Sequence, residues 1–128
     1  MKSGRRAGPL CVAIVEDSPE IAELYAALIR MLGMRVGFTA GNGAEAVRAF
    51  SAAGARPDIV LIDGRMPVMS GLDALRAMKA IDPGARLIMI SADEDLRDSA
   101  LKAGASAFLK KPAALQEIYE AIIATGEI

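Results

Sequence analysis

The sequence predicts an α/β sandwich, a mostly parallel sheet with helices on both faces, and three observations predict it. Five short apolar runs alternate with five segments of helical period. Three of those runs are nearly continuous Val, Ile and Leu, as strands covered on both faces must be. The connections are short and the segments change type at every step, so the repeat is a strand–helix unit with right-handed crossovers and not a solenoid.

The runs are Leu10–Val15, Arg35–Thr39, Asp58–Ile62, Arg86–Ile90 and Ala107–Leu109. After the first, Ser18 is placed to cap a helix that begins with Pro19. Ile21, Leu24, Tyr25, Leu28, Ile29 and Leu32 line one face of that helix, and Gly33 stops it. A second helix is expected over 43–53 with Ala46, Val47 and Phe50 inward. A third, over 71–81, carries Leu72, Leu75 and Met78 and stops at Asp82-Pro83-Gly84. A fourth runs over 94–103 with Leu96 and Ala100 inward, its acidic start Asp93-Glu94-Asp95 favouring the helix dipole. The last, over 113–124, repeats the pattern with Leu115, Ile118, Tyr119, Ile122 and Ile123.

A chain of 128 residues is the size of one compact domain, and 53% hydrophobic with 24% charged residues excludes disorder as its ground state. Lys and Arg number 15 against 16 Asp and Glu, so the strong positive excess of a nucleic-acid or polybasic membrane module is missing. With no histidine, neither a Ser-His-Asp nor a Cys-His nucleophile system can be built. Cys11, the one cysteine, is expected to be a buried small hydrophobe in a reducing, cytoplasmic setting. Met31, Met34, Met66, Met69, Met78 and Met89 are expected as core fillers or loop anchors. Residues 1–9 carry Lys2, Arg5 and Arg6 and no acid, and are expected as a disordered tail ahead of a domain over 10–128. The run that follows them is too short for a signal peptide or a membrane span.

In open parallel sheets, ligands bind beyond the carboxyl ends of the strands. Glu16 and Asp17 follow the first run, Asp63 the third, Ser91 the fourth and Lys111 the fifth. Three carboxylates, a hydroxyl and an ammonium thus converge on one sheet edge. Clustered carboxylates repel one another unless a cation intervenes. Mg²⁺ accepts such ligands and keeps positions open for phosphate oxygens, and with Lys111 it would bring the cluster to neutrality. A carboxylate there can act as a nucleophile toward phosphorus.

These residues carry a family resemblance. Val15-Glu16-Asp17-Ser18, Ala40-Gly41-Asn42-Gly43-Ala44-Glu45-Ala46, Pro57–Asp63, Met66-Pro67-Val68-Met69-Ser70-Gly71, Ile90-Ser91-Ala92 and Gly104–Pro112 together resemble the receiver domain of two-component response regulators, over about residues 10–125. The resemblance implies a flavodoxin-like (βα)5 three-layer sandwich with strand order 2-1-3-4-5. It implies that Asp63 is the phosphoacceptor, served by a sensor histidine kinase or phosphotransfer protein. Asp17 and Asp63 would bind Mg²⁺ directly, Glu16 mainly through water, and Arg65 through its backbone carbonyl. Ser91 and Lys111 would hold phosphoryl oxygens, and Lys111-Pro112 would be cis. Phe108 matches the switch aromatic, although it reads equally as a strand residue buried under the last helix. Ser91 and Phe108 would remodel the face of the fourth helix, fifth strand and fifth helix that effector proteins read, in a monomer or a weak phosphorylation-linked dimer. Such a protein is a signalling switch, with self-phosphorylation and self-dephosphorylation as its only turnover.

The sequence departs from the family pattern in details. The acidic pair is Glu-Asp, the hydroxyl is Ser, the aromatic is Phe, and Ala113 stands where the family usually has Phe. The Arg65 side chain reads as a solvated loop residue or as a cation bearing on dephosphorylation. Three other readings compete. A flavin-binding domain needs a phosphate-cradling loop where Glu16-Asp17-Ser18-Pro19-Glu20 stands. A phosphohydrolase needs a second Asp where Arg65 stands. A pseudo-receiver would dock partners without phosphorylation.

Overall fold

The computed structural model describes residues 9–52, 54 and 56–126. Except for Pro9, the expected tail lies outside them. Five parallel strands, β1 (Cys11–Val15), β2 (Arg35–Ala40), β3 (Ile59–Asp63), β4 (Leu87–Ser91) and β5 (Ala107–Lys110), form one sheet in the order β2-β1-β3-β4-β5. The helices between them are α1 (Pro19–Met31), α2 (Gly43–Ala52), α3 (Gly71–Ile81), α4 (Arg97–Lys102) and α5 (Leu115–Gly126). This is the flavodoxin-like arrangement the resemblance implied.

Strand periodicity splits the core into two layers. Val12, Ile14, Ile59, Leu61, Ile88 and Ile90 point toward α1 and α5, where they meet Leu28, Ile29, Ile118 and Ile122. Ala13, Val15, Val60, Ile62, Leu87 and Met89 point the other way, against Phe50 of α2, Leu75 and Met78 of α3 and Ala100 of α4. Each central strand therefore reads as an unbroken apolar run because both of its faces are covered. Phe108 belongs to the second layer, so it is not buried under the last helix, while its neighbours Ala107 and Leu109 pack on the α5 side.

Local signals set the helix ends. Ser18 Oγ accepts from the Ile21 N–H (3.4 Å) and Pro19 opens α1, while the chain leaves the helix before Gly33 at φ +79°. Asn42 Oδ1 accepts from the Glu45 N–H (2.9 Å) and Glu45 Oε1 from the Gly41 N–H (3.1 Å), a reciprocal cap on α2.

Several expectations need correction. The fourth helix is split: Glu94–Leu96 is a 3₁₀ turn capped by Asp93, and only Arg97–Lys102 is α-helical. The last helix begins at Leu115, and Ala114 N–H is held by Glu117 Oε1 (2.8 Å) just before it. Met31 is 82% exposed because it falls at the outward end of α1. Leu24 and Leu115, expected inward, are also exposed, and Cys11 is half-buried at the open end of its strand.

Val68, between β3 and α3, adopts φ 71° and is exposed. A β-branched residue is strained in that region, by about 1–2 kcal/mol. Replacing it with glycine is expected to stabilise the fold by about 0.5–1 kcal/mol, since added backbone entropy in the unfolded chain offsets part of the relief. Urea denaturation would read this as a higher midpoint at unchanged slope, and a lower midpoint would contradict the strain.

Candidate functional site

The sheet delivers its chemistry at the carboxyl ends of the strands. Asp63 and Ser91 are the last residues of β3 and β4, one residue further into the ladder than the sequence boundaries, because Asp63 still pairs with Ile90 and Ser91 with Lys110. Glu16 and Asp17 follow β1 directly, and the Glu16 N–H donates to the Ala40 carbonyl (3.0 Å), carrying the ladder to β2 one residue further. Lys111 follows β5, tied down by its own N–H donating to the Ser91 carbonyl (2.9 Å). Its peptide bond to Pro112 is cis.

The polar groups that meet there are buried to very different degrees. Glu16 and Asp63 are 4% and 8% exposed, Ser91 is fully buried, and Asp17 faces solvent. Lys111 Nζ joins the first two, donating to Glu16 Oε1 at 3.0 Å and lying 3.4 Å from Asp63 Oδ2. Glu16 Oε2 accepts from the Ser18 N–H (3.2 Å), and Asp63 Oδ1 from the Arg65 N–H (3.2 Å). Among the described residues, Glu16, Asp17 and Asp63 can bring one carboxylate oxygen each to within 4.8 Å of one another. That all-oxygen donor set, anionic and partly open to water, fits a hard divalent cation such as Mg²⁺.

Electrostatics reflect the crowding. Burial pushes the Glu16 carboxyl above its ordinary pKa, and the Asp63 charge adds to this, while Lys111 and the Ser18 N–H pull the other way. Burial alone would lower the Lys111 ammonium, but the hydrogen bond to Glu16 and the charges of Asp63 and Glu16 outweigh it and raise its pKa. Tyr25 of α1 lies near enough to feel all three charges, though burial chiefly raises its phenol.

Ser91 is held beside the end of β3. A Cβ at Gly64 would come within 2.8 Å of the Ser91 Oγ, so only glycine lets the backbone after Asp63 run this close to it. Ser91 Oγ accepts from the Asp93 N–H (3.1 Å). Phe108 is 6% exposed with the Arg97 guanidinium 4.9 Å from its ring centroid, and Arg97 is braced by Glu94 Oε2 at 3.0 Å. The Arg65 side chain is exposed yet ion-paired with Asp93 across the mouth of the site, which keeps Asp93 acidic and raises the Arg65 pKa.

All the residues expected from the sequence at the strand ends are thus brought together; Phe108 lies in the core layer of α2, α3 and α4, and the Arg65 side chain turns to Asp93. Two participants were not read from the sequence. Tyr25 passed as one of many apolar positions on α1. Asp93 passed as a dipole acid, whereas the Ser-Ala-Asp spacing after a strand was the available signal for an amide returning to the Ser91 hydroxyl.

Comparisons with known proteins bear on the family and the fold. The response regulator receiver domain family matches residues 12–123. The chain is 36% identical over 113 residues to the chemotaxis protein CheY of Thermotoga maritima, covering 87% of this chain and 92% of that one. It is 34% identical over 112 residues to a probable transcriptional regulatory protein, TcrX, of Mycobacterium tuberculosis, covering 86% of this chain but only 47% of that protein. Among solved structures, CheY from a CheX–CheY–BeF3–Mg complex of Borrelia burgdorferi matches with a TM-score of 0.89 at 31% identity, covering 94% of this chain and 92% of that one. The receiver domain of the Pseudomonas aeruginosa sensor kinase PA1611, with magnesium in its active-site cleft, matches at 0.80 and 29%, covering 93% of this chain and 98% of that one.

The raised pKa of Glu16 gives a pH dependence with a definite sign. A carboxyl raised in the folded state favours folding when protonated, and that contribution is lost as pH rises through the folded pKa. In chelator at neutral pH, Glu16→Gln is therefore expected to melt higher than wild type. The difference should fade as pH falls toward the raised pKa, where wild type gains its own proton. A gap that instead widens on acidification would refute the shift.

Proposed function

We propose, for a chain that belongs to the response regulator receiver family, that it is a phosphoryl-accepting switch in a two-component signalling pathway. The observation that carries this is the contact of one ammonium, Lys111 Nζ, with both buried carboxylates, Glu16 and Asp63, beside a fully buried Ser91. Asp63 is the phosphoacceptor. One carboxylate oxygen attacks phosphorus, the bond from phosphorus to the donor nitrogen or oxygen breaks, and the donor leaves with that electron pair. Lys111 balances charge on one phosphoryl oxygen, and the Ser91 hydroxyl donates to another while its oxygen keeps the Asp93 N–H.

Glu16, Asp17, Asp63 and the Arg65 backbone carbonyl are the groups that would hold Mg²⁺, with Glu16 acting mainly through water. The ion supplies positive charge for the phosphoryl oxygens. Turnover is limited to self-phosphorylation and self-dephosphorylation at Asp63; no separate substrate is transformed.

Switching follows from packing. As Ser91 is drawn toward the phosphoryl group, the Phe108 ring, already inside, moves into the space it leaves and takes Arg97 and the start of α4 with it. The α4-β5-α5 face is then the surface an effector protein reads, and the phosphoryl donor is a sensor histidine kinase or phosphotransfer protein. The balanced charge favours protein partners over nucleic acid. Among the described residues no helix is long and apolar enough to cross a membrane, and the setting proposed is cytoplasmic. The domain proposed spans residues 10–128, and a monomer or a weak phosphorylation-linked dimer suffices for this chemistry.

Intact mass after incubation with Mg²⁺ and a small acyl phosphate tests the reading. Wild type is expected to gain a single phosphoryl group, whereas Asp63→Ala, or wild type in chelator, gains none. A folded wild type that takes no phosphoryl group would transfer the assignment to a docking module that works without phosphorylation.

A further inference from the structure

The Arg65–Asp93 ion pair joins the two loops that flank the phosphoacceptor, and each of its members also touches a site residue. The Arg65 N–H donates to Asp63 Oδ1 at 3.2 Å. The Arg65 guanidinium holds Asp93 Oδ2. The Asp93 N–H donates to Ser91 Oγ at 3.1 Å. The pair therefore closes a chain of contacts running from the phosphoacceptor to the hydroxyl beside it. Its two ends differ in freedom. Asp93 is anchored by its cap on the 3₁₀ turn, where Oδ1 accepts from the Asp95 N–H (3.0 Å), and its side chain is 22% exposed. The Arg65 side chain is 70% exposed and springs from the rim of the site.

We propose that the Arg65 guanidinium is a second cationic ligand for the phosphoryl group on Asp63, held in reserve by Asp93, which competes for it. The proposal rests on the phosphoryl-switch reading above. A phosphoryl group on an aspartate presents up to two negative charges and oxygens spaced to accept two guanidinium N–H groups together. Asp93 presents one charge, at a surface where an ion pair is weak. With its backbone N–H already on the Asp63 carboxylate, Arg65 needs only side-chain rotation to make the exchange. Asp93 is then left without its counter-ion near a group of like charge. The Asp93 carboxylate then turns toward solvent while its N–H stays on Ser91 Oγ, and the next residue, Glu94, is the brace of Arg97 over Phe108. The exchange thus carries charge at Asp63 to the start of α4 through contacts that a neutral residue at position 65 could not make.

The test is the affinity of the Mg²⁺-loaded protein for beryllofluoride, a phosphoryl stand-in, followed by amide NMR. Wild type, Asp93→Asn, Arg65→Gln and the double variant are compared. Asp93→Asn keeps a side-chain oxygen for the Asp95 N–H and removes the competing charge, so it is expected to tighten binding about two- to fivefold, the range an exposed ion pair supports. Arg65→Gln is expected to weaken binding by a similar factor. In the Arg65→Gln background, Asp93→Asn is expected to gain clearly less than it does beside Arg65, since only repulsion and no competition is then relieved. An equal gain with and without Arg65 would mean simple repulsion by Asp93 and would overturn the competition, as would unchanged affinity in both single variants. If wild type itself binds no beryllofluoride, the receiver reading falls and the competition falls with it. Spectra taken without beryllofluoride establish that each variant is folded.

Discussion

One ammonium group holds the site together. Glu16 and Asp63 lie at the buried end of a parallel sheet, where two carboxylates without a counter-ion would be forced toward protonation. Lys111 reaches both, at 3.0 and 3.4 Å. Its position depends on the ladder between β4 and β5 and on the single backbone bond from Lys111 to Ser91 that extends it. Lys111 leaves the cluster with more negative charge than positive: Asp17 adds a third carboxylate at the solvent side. That residual imbalance suits the place to a divalent cation.

The two layers of the core divide the labour. The α1 and α5 side packs Val12, Ile14, Leu61 and Ile90 against two amphipathic helices, and Lys111 and Tyr25 border it near the site. The other side holds Phe108 under the short α4, whose Ala100 faces inward, behind a 3₁₀ turn whose residues are mostly exposed. A 3₁₀ turn followed by a helix of six residues carries little intrinsic stability. The region proposed to move is therefore the least self-supporting part of the fold, joined to the rest through Arg97, Leu96 and Ala100.

Much of this was legible in the residues. Continuous apolar runs marked the central strands because both faces of each are buried, and Ser18-Pro19 marked the start of α1 because side chain and ring geometry both fit a helix start. The placement of Asp63, Ser91 and Lys111 followed from a rule about strand ends. What escaped depends on long-range contacts or on backbone shape. The face to which Phe108 points is a matter of parity in a strand of four residues, and small Ala107 hides that parity. Nothing about valine announces the left-handed backbone of Val68. The split of the fourth helix arises because Asp93 caps a tight turn while pairing with Arg65 from a different loop, a partner that sequence spacing cannot reveal.

Glu16 and Lys111, hydrogen-bonded in the site, are 95 positions apart in the chain. No fragment that ends before β5 can contain both, and a polypeptide still emerging from its ribosome would present acids with no ammonium among them. Chemical competence therefore arrives with the closing strand. The contact that offsets part of the cluster's charge is thus made only once β5 has joined the sheet.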